Sequence, residues 1–153
     1  MNIIWRYLDK RSATIAAVKD YDAMKFIIEN TDQAVIEARD KMTSLGSPNW
    51  DGMPHAHNPN AGEEKILKGL EEIDILKERY RQAVEYMDWF KPAWEELSDD
   101  EQFVLETFYQ DENTFGSYAA DTVASQFQIE RSSAYKRKDR ALEHLTVLLF
   151  GKL

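Results

Sequence analysis

Cysteine is absent from the 153-residue chain, and with it go disulfides, thiolate metal sites and cysteine nucleophiles. That composition suits a reducing compartment, and a cytoplasmic location is expected. No apolar run approaches the length needed to cross a bilayer, so no membrane partner is expected. The opening Met1-Asn2-Ile3-Ile4-Trp5-Arg6 holds too short an apolar stretch for a signal peptide and no cleavage-like site follows it. Positive charge is also scarce, with 19 Lys and Arg against 28 Asp and Glu and a net charge of −9. Neutralisation of phosphates by Lys and Arg drives non-specific affinity, so this balance excludes a general nucleic-acid coating protein. Gly-rich phosphate loops, nucleophile elbows and zincin patterns are missing as well. Nothing marks an enzyme, and no cofactor is expected.

What remains is 43% hydrophobic and 31% charged, the composition of a helix-rich globular chain. Glycine, proline and asparagine gather in residues 46–62, where no helix could persist. A softer break falls at Lys91-Pro92, because proline lacks an amide donor and disfavours helix at the residue before it. A long helix is expected to end or kink there. Before the first break, Tyr21, Met24, Ile28, Thr31, Val35, Ala38, Met42 and Leu45 follow alternating steps of three and four. After it, Ile66, Leu70, Ile73, Lys77, Tyr80, Val84 and Met87 do the same. Each set forms one seam along a helix, and two seams joined by one loop fold most simply as an antiparallel hairpin. Thr31 and Lys77 interrupt the seams. The hairpin can therefore be a core-forming element, or a surface for homo-oligomerisation or partner docking.

Residues 97–153 read differently. Ser98-Asp99-Asp100-Glu101 is a capping box, and its acids suit the positive end of a helix dipole. The helix that follows is expected to bury Phe103 or Val104, Leu105, Phe108 and Tyr109, and to stop between Gln110 and Asn113. Gly116-Ser117 offers a turn and an N-cap for a second helix over 118–127, whose Ala119, Ala120 and Ala124 permit close approach. Gln128-Ile129 makes a turn with Ile129 as an apolar plug, and a third helix starts near Glu130 or Arg131. Ala134, Ala141, Leu145 and Leu148 lie on one face of it. Ser132, Lys136 and Arg140 share another by steps of four, with Ser133 and Arg137 alongside. Between residues 131 and 140, Arg131, Lys136, Arg137, Lys138 and Arg140 are opposed by Asp139 alone. A compact helix, a short turn and a longer basic helix are the parts of a helix-turn-helix, in which the last helix enters the major groove of double-stranded DNA. A solvated basic face on an ordinary three-helix bundle is the plainer alternative.

Leu97-Ser98-Asp99-Asp100-Glu101, Val104-Leu105, Phe108-Tyr109 and Val123-Ala124 resemble region 4 of bacterial sigma factors. So does Ile129-Glu130-Arg131-Ser132-Ser133-Ala134-Tyr135-Lys136-Arg137-Lys138 with Ala141-Leu142. The ending Leu148-Leu149-Phe150-Gly151, the Asp51-Gly52-Met53-Pro54 loop, and Arg79-Tyr80 leading to Tyr86-Met87 more closely resemble phage-encoded, sigma-like late-gene regulators of the ArpU and RinA type. The chain is expected to be all-α: a short N-terminal helix and a long antiparallel helical hairpin within 1–96, then a helix-turn-helix domain over 97–153 that resembles sigma region 4. The resemblance implies a regulator of late transcription acting with host RNA polymerase, with Arg131, Ser132, Ser133, Tyr135, Lys136 and Arg137 at the DNA-contacting positions. Arg140 joins them through its place on the basic face. Glu130 departs from the pattern, since a small hydroxyl residue often stands there. No segment resembles the sigma region that binds the −10 element, so a complete promoter-melting sigma factor is not expected.

Two rival readings stay open: a small-terminase-like DNA-packaging oligomer, and an interaction module whose basic helix binds an acidic protein surface. His55-Ala56-His57 with Asp51 lacks a fourth ligand, so no metal site is expected. Paired acids such as Glu63-Glu64 and Glu71-Glu72 read as solvated helix faces. Trp89, Phe90 and Trp94 read as the core that joins the hairpin to the C-terminal helices, with a partner-binding aromatic patch as the alternative, and His144 as a half-buried or dipole-facing histidine.

Overall fold

The computed structural model describes residues 7–44, 60–111 and 116–152. Among these the only regular structure is helix, without a strand. The elements are α1 (Lys10–Thr43), α2 (Ala61–Glu96), α3 (Asp99–Leu105), a π-helical turn (Glu106–Gln110), α4 (Gly116–Phe127) and α5 (Arg131–Phe150). The expected loop over 46–62 falls largely outside the described residues, as do His55, His57 and Asp51. Its last two residues, Ala61 and Gly62, are already helical. Residues 10–20, ahead of the first seam, belong to α1, which starts at Lys10; the expected short N-terminal helix falls largely outside the described residues.

Pro92 does not end α2, although an end is the first of the two outcomes expected at this break. The reason is tertiary. Phe90, Ala93, Trp94 and Leu97 are all buried in one core, and that burial holds the last turn despite the lost amide. Beyond it, the Leu97 amide bonds the Trp94 carbonyl, and Gln102 Nε2 caps the same carbonyl at 2.8 Å. The chain then turns directly into the Ser98 N-cap of α3.

Packing divides the chain into two compact units, Met1–Lys25 with Glu85–Leu153, and Phe26–Val84. Both α1 and α2 supply residues to each unit, so this division cuts across the boundary expected at 96/97. In the first unit, Phe90 is fully buried and stacks on Tyr86 (ring centroids 5.2 Å) and Trp94 (5.6 Å). Ala17 and Val18 of α1 and Leu105, Ala141, Leu142 and Leu145 complete this core. Leu142 was not among the expected core residues, whereas Leu148 was and is 36% exposed. A second, smaller core gathers Val104, Ala120, Val123 and Ala134, with Phe103, Phe108, Phe127, Ile129 and Tyr135 around it. The π-helical turn serves both cores. It widens the helix by one residue, closed by the Asp111 amide on the Glu106 carbonyl, so the adjacent Phe108 and Tyr109 pack into different clusters.

In the second unit the inward positions are Thr31 and Ala38 on α1, and Gly69, Ile73 and Ala83 on α2. Thr31 is accommodated by donating its hydroxyl to the Ile27 carbonyl. The start of α2 lies by the end of α1: Lys65 Nζ bonds the Ser44 carbonyl at 2.7 Å, and a Cβ on Gly69 would fall 2.1 Å from Met42 Cγ. On α1 the seam positions from Tyr21 to Met42 are buried or half-buried, as the spacing implied; Leu45 lies outside the described residues. On α2 only part of the seam is: Ile73 is buried and Val84 and Met87 are half-buried, whereas Ile66, Leu70 and Tyr80 are 50%, 49% and 39% exposed, because the small residues Gly69 and Ala83 share the line of closest approach with Ile73.

Candidate nucleic-acid interface

The interface expected from the sequence lies on α5, and its geometry starts at the preceding turn. At the end of α4, the Ile129 amide bonds the Ala124 carbonyl at 2.9 Å and the Gln128 amide bonds the Ser125 carbonyl at 3.4 Å. That pair of bonds is a Schellman motif, with Gln128 in the left-handed conformation (φ 53°) where glycine is usual. Ile129 then enters the smaller core, as an apolar plug should. Glu130 follows as the N-cap of α5 without any side-chain capping bond. Helix, turn and helix are thus joined with no spare residue. Ser117, expected as an N-cap, is already inside α4, which begins at Gly116.

Three contacts fix α5 from behind. Arg11 of α1 pairs with Asp139 at 2.8 Å, and the Thr14 and Thr146 hydroxyls meet at 3.0 Å. His144 Nδ1 bonds Glu101 Oε2 at 2.7 Å. Glu101 also completes the capping box of α3: its carboxylate accepts from the Ser98 amide, and its own amide donates to Ser98 Oγ, both at 3.2 Å. Burial pushes the Glu101 carboxyl up, but the bonds from His144 and Ser98 outweigh it and hold the group below the usual carboxylate range. The Arg11 guanidinium and Lys138 likewise outweigh burial at Asp139 and keep its carboxyl low. One capping residue therefore ties the start of α3 to the body of α5.

The basic residues divide into two groups. Arg131 is exposed but committed: its Nε and Nη2 grip Asp121 at 2.8 and 2.7 Å, and Nη2 also reaches the Ser117 carbonyl at 3.3 Å. Arg137 lies over the Phe127 ring at 4.3 Å, and Lys138 over Phe108 and Tyr135 at 5.4 Å each while pairing with Asp139. Tyr135 itself packs on Phe108 and donates its hydroxyl to the Gly116 carbonyl, so it brackets α4 and α5 together. Lys136 and Arg140 are exposed and have no ion pair among the described residues. With exposed Ser132 they form a ridge at steps of four along the solvent face of α5. Ser133 and Arg137, both half-buried, flank this ridge near Arg140. All three line an open cleft of about 600 Å³ whose other wall includes Asp100 and Glu101.

Four side chains important to this arrangement gave no signal of their own in the sequence: Arg11, Thr14 and Thr146 act across more than a hundred residues, and Asp121 finds Arg131 only through helix packing. Glu101 was legible as a capping residue, but its bond to His144 was not. Among the described residues, no group of His, Asp and Glu could hold a metal ion, and no helix is long and apolar enough to cross a membrane. Compared with known family models, curated proteins and solved structures, the chain matches none.

Proposed function

We propose that this chain is a sequence-specific double-stranded DNA-binding regulator of transcription rather than an enzyme. In this reading α3, α4 and α5 form a helix-turn-helix of the sigma region 4 kind, and α1 and α2 form an antiparallel hairpin. The observation that carries the reading is the Ser132–Lys136–Arg140 ridge. It is exposed, free of internal ion pairs among the described residues, and mounted on a helix whose entry is fixed by a Schellman turn. A short hydroxyl at the helix start suits base edges, and cations further on suit phosphate or guanine. Arg131 and Tyr135 orient α5 against α4, and Arg137 shapes the flank of the ridge. Phage late-gene control with host RNA polymerase is the setting that the resemblance to ArpU and RinA regulators implies. An acidic chain whose α5 basic face keeps only Lys136 and Arg140 unengaged among the described residues needs additional affinity from a second subunit or from polymerase.

The test is fluorescence anisotropy with labelled duplexes from the chain's own genomic neighbourhood, at two salt concentrations. Lys136→Ala/Arg140→Ala is expected to weaken binding at least tenfold, and to lower the salt slope by about 0.9 for each phosphate no longer neutralised. Absence of duplex binding, or binding indifferent to this variant, overturns the reading. Selectivity for a packaging site together with a ring-sized assembly would instead support the terminase-like alternative.

A further inference from the structure

The second unit leaves apolar side chains outside where its helices meet. Ile36 on α1 is 50% exposed, and it shares an open groove of about 490 Å³ with Val35, Asp32, Arg39, Lys77 and Tyr80. The 3–4 spacing of α2 places exposed Ile66 and Leu70 on the same stripe as Lys77 and Tyr80. Such a face would be costly to leave in water on a unit whose buried residues are mostly small or polar.

Its charges are arranged symmetrically. Asp32 and Arg39 lie seven residues apart on one face of α1, centred between Val35 and Ile36. Asp74 and Lys77 flank the corresponding centre of α2, next to Ile75. None of the four has an ion pair among the described residues. The two centres are level: Met42 meets Gly69, and equal steps back along α1 and forward along α2 lead from that contact to Ile36 and Ile75.

We infer that this face binds a second copy of the chain, by an antiparallel, twofold-symmetric packing of α1 on α1 and α2 on α2. A twofold axis crossing both helices at the two centres brings Asp32 against Arg39 of the second copy and Asp74 against its Lys77. The same operation sets Ile36 on Val35 and brings Leu70 of one copy within one residue of the level of Tyr80 of the other. Each contact occurs twice, as an isologous interface requires. A partner of unrelated sequence would have no reason to match opposite charges placed symmetrically about one axis. The inference stands independently of the DNA reading, because every residue it uses lies within 26–84.

Sedimentation equilibrium of the full chain tests it, with far-UV circular dichroism as a check that each variant keeps its helices. The wild-type chain is expected to dimerise with increasing concentration. Asp32→Arg and Arg39→Asp should each weaken the dimer about 10- to 100-fold, because each places like charges together at two sites. The double variant Asp32→Arg/Arg39→Asp should regain most of the lost affinity. Ile36→Glu, also at an exposed position, should abolish the dimer without loss of helix. A chain that stays monomeric up to several hundred micromolar overturns the inference. So does a dimer that Ile36→Glu and the single charge variants leave intact, or a double variant that stays as weak as the singles.

Discussion

Glu101 is the position at which a single side chain joins two elements of the candidate interface, so its replacement should have a separable effect. Glu101→Ala removes the acceptor of the Ser98 amide, the favourable charge at the start of α3 and the bond to His144. One net hydrogen bond is worth roughly 0.5–1.5 kcal/mol, the dipole interaction about 0.3–1, and a part-exposed ion pair well under 1. Since these act through one carboxylate they overlap, and a total loss of about 1.5 kcal/mol is expected. For a chain of this size that corresponds to a fall in Tm of about 3–6 °C. Glu101→Gln keeps an acceptor for Ser98 but carries no charge, so it should cost only about 0.5–1 kcal/mol near neutral pH. The pH dependence gives the sharper check. Because the folded-state carboxyl titrates below its unfolded value of 4.5, its contribution is complete above pH 4.5 and disappears as pH falls through the folded value. Thermal melts followed by circular dichroism from pH 6 to pH 3 should therefore show the gap between wild type and Glu101→Gln closing with acid. A gap of constant size across that range would refute the assigned role of the charge.

Other consequences follow from the same geometry. Glu130→Ser should stabilise the chain by about 0.5–1 kcal/mol in denaturant titrations, since the α5 N-cap makes no side-chain bond; it should also tighten duplex binding by removing an acid from the start of the helix. Gln128→Gly should be neutral or raise stability by up to about 1 kcal/mol, and Gln128→Val should lower it by about 1–2, because only the latter adds a β-branch at positive φ. Tyr86→Phe should cost about 1 kcal/mol by urea unfolding: the Tyr86 hydroxyl is half-buried and donates to the Ala17 carbonyl, and burial raises its pKa above the usual phenol range. Asp121→Ala should leave helix content unchanged by circular dichroism while altering duplex affinity, because it frees the Arg131 guanidinium from its clamp.

Local patterns were legible wherever their cause was local. The capping box at Ser98 and Glu101, the turn at Gln128-Ile129 and the solvent-facing steps Ser132, Lys136 and Arg140 each depend on residues within a few positions of one another. The all-helical class followed from the same periodicities. Long-range packing decided the rest. Pro92 is carried through α2 because Ala93, Trp94 and Leu97 are buried by residues from both ends of the chain. The inward line of α2 keeps Ile73 from the apolar pattern but runs otherwise through Gly69 and Ala83, because backbone proximity there favours small side chains over apolar ones such as Ile66 and Leu70. Of the five basic residues on α5, only contacts with Asp121, Phe127, Phe108 and Asp139 reveal that three are already engaged and that Lys136 and Arg140 are not. Charge and helical phase are properties of the sequence; which charge remains available is a property of the neighbours that folding brings to it.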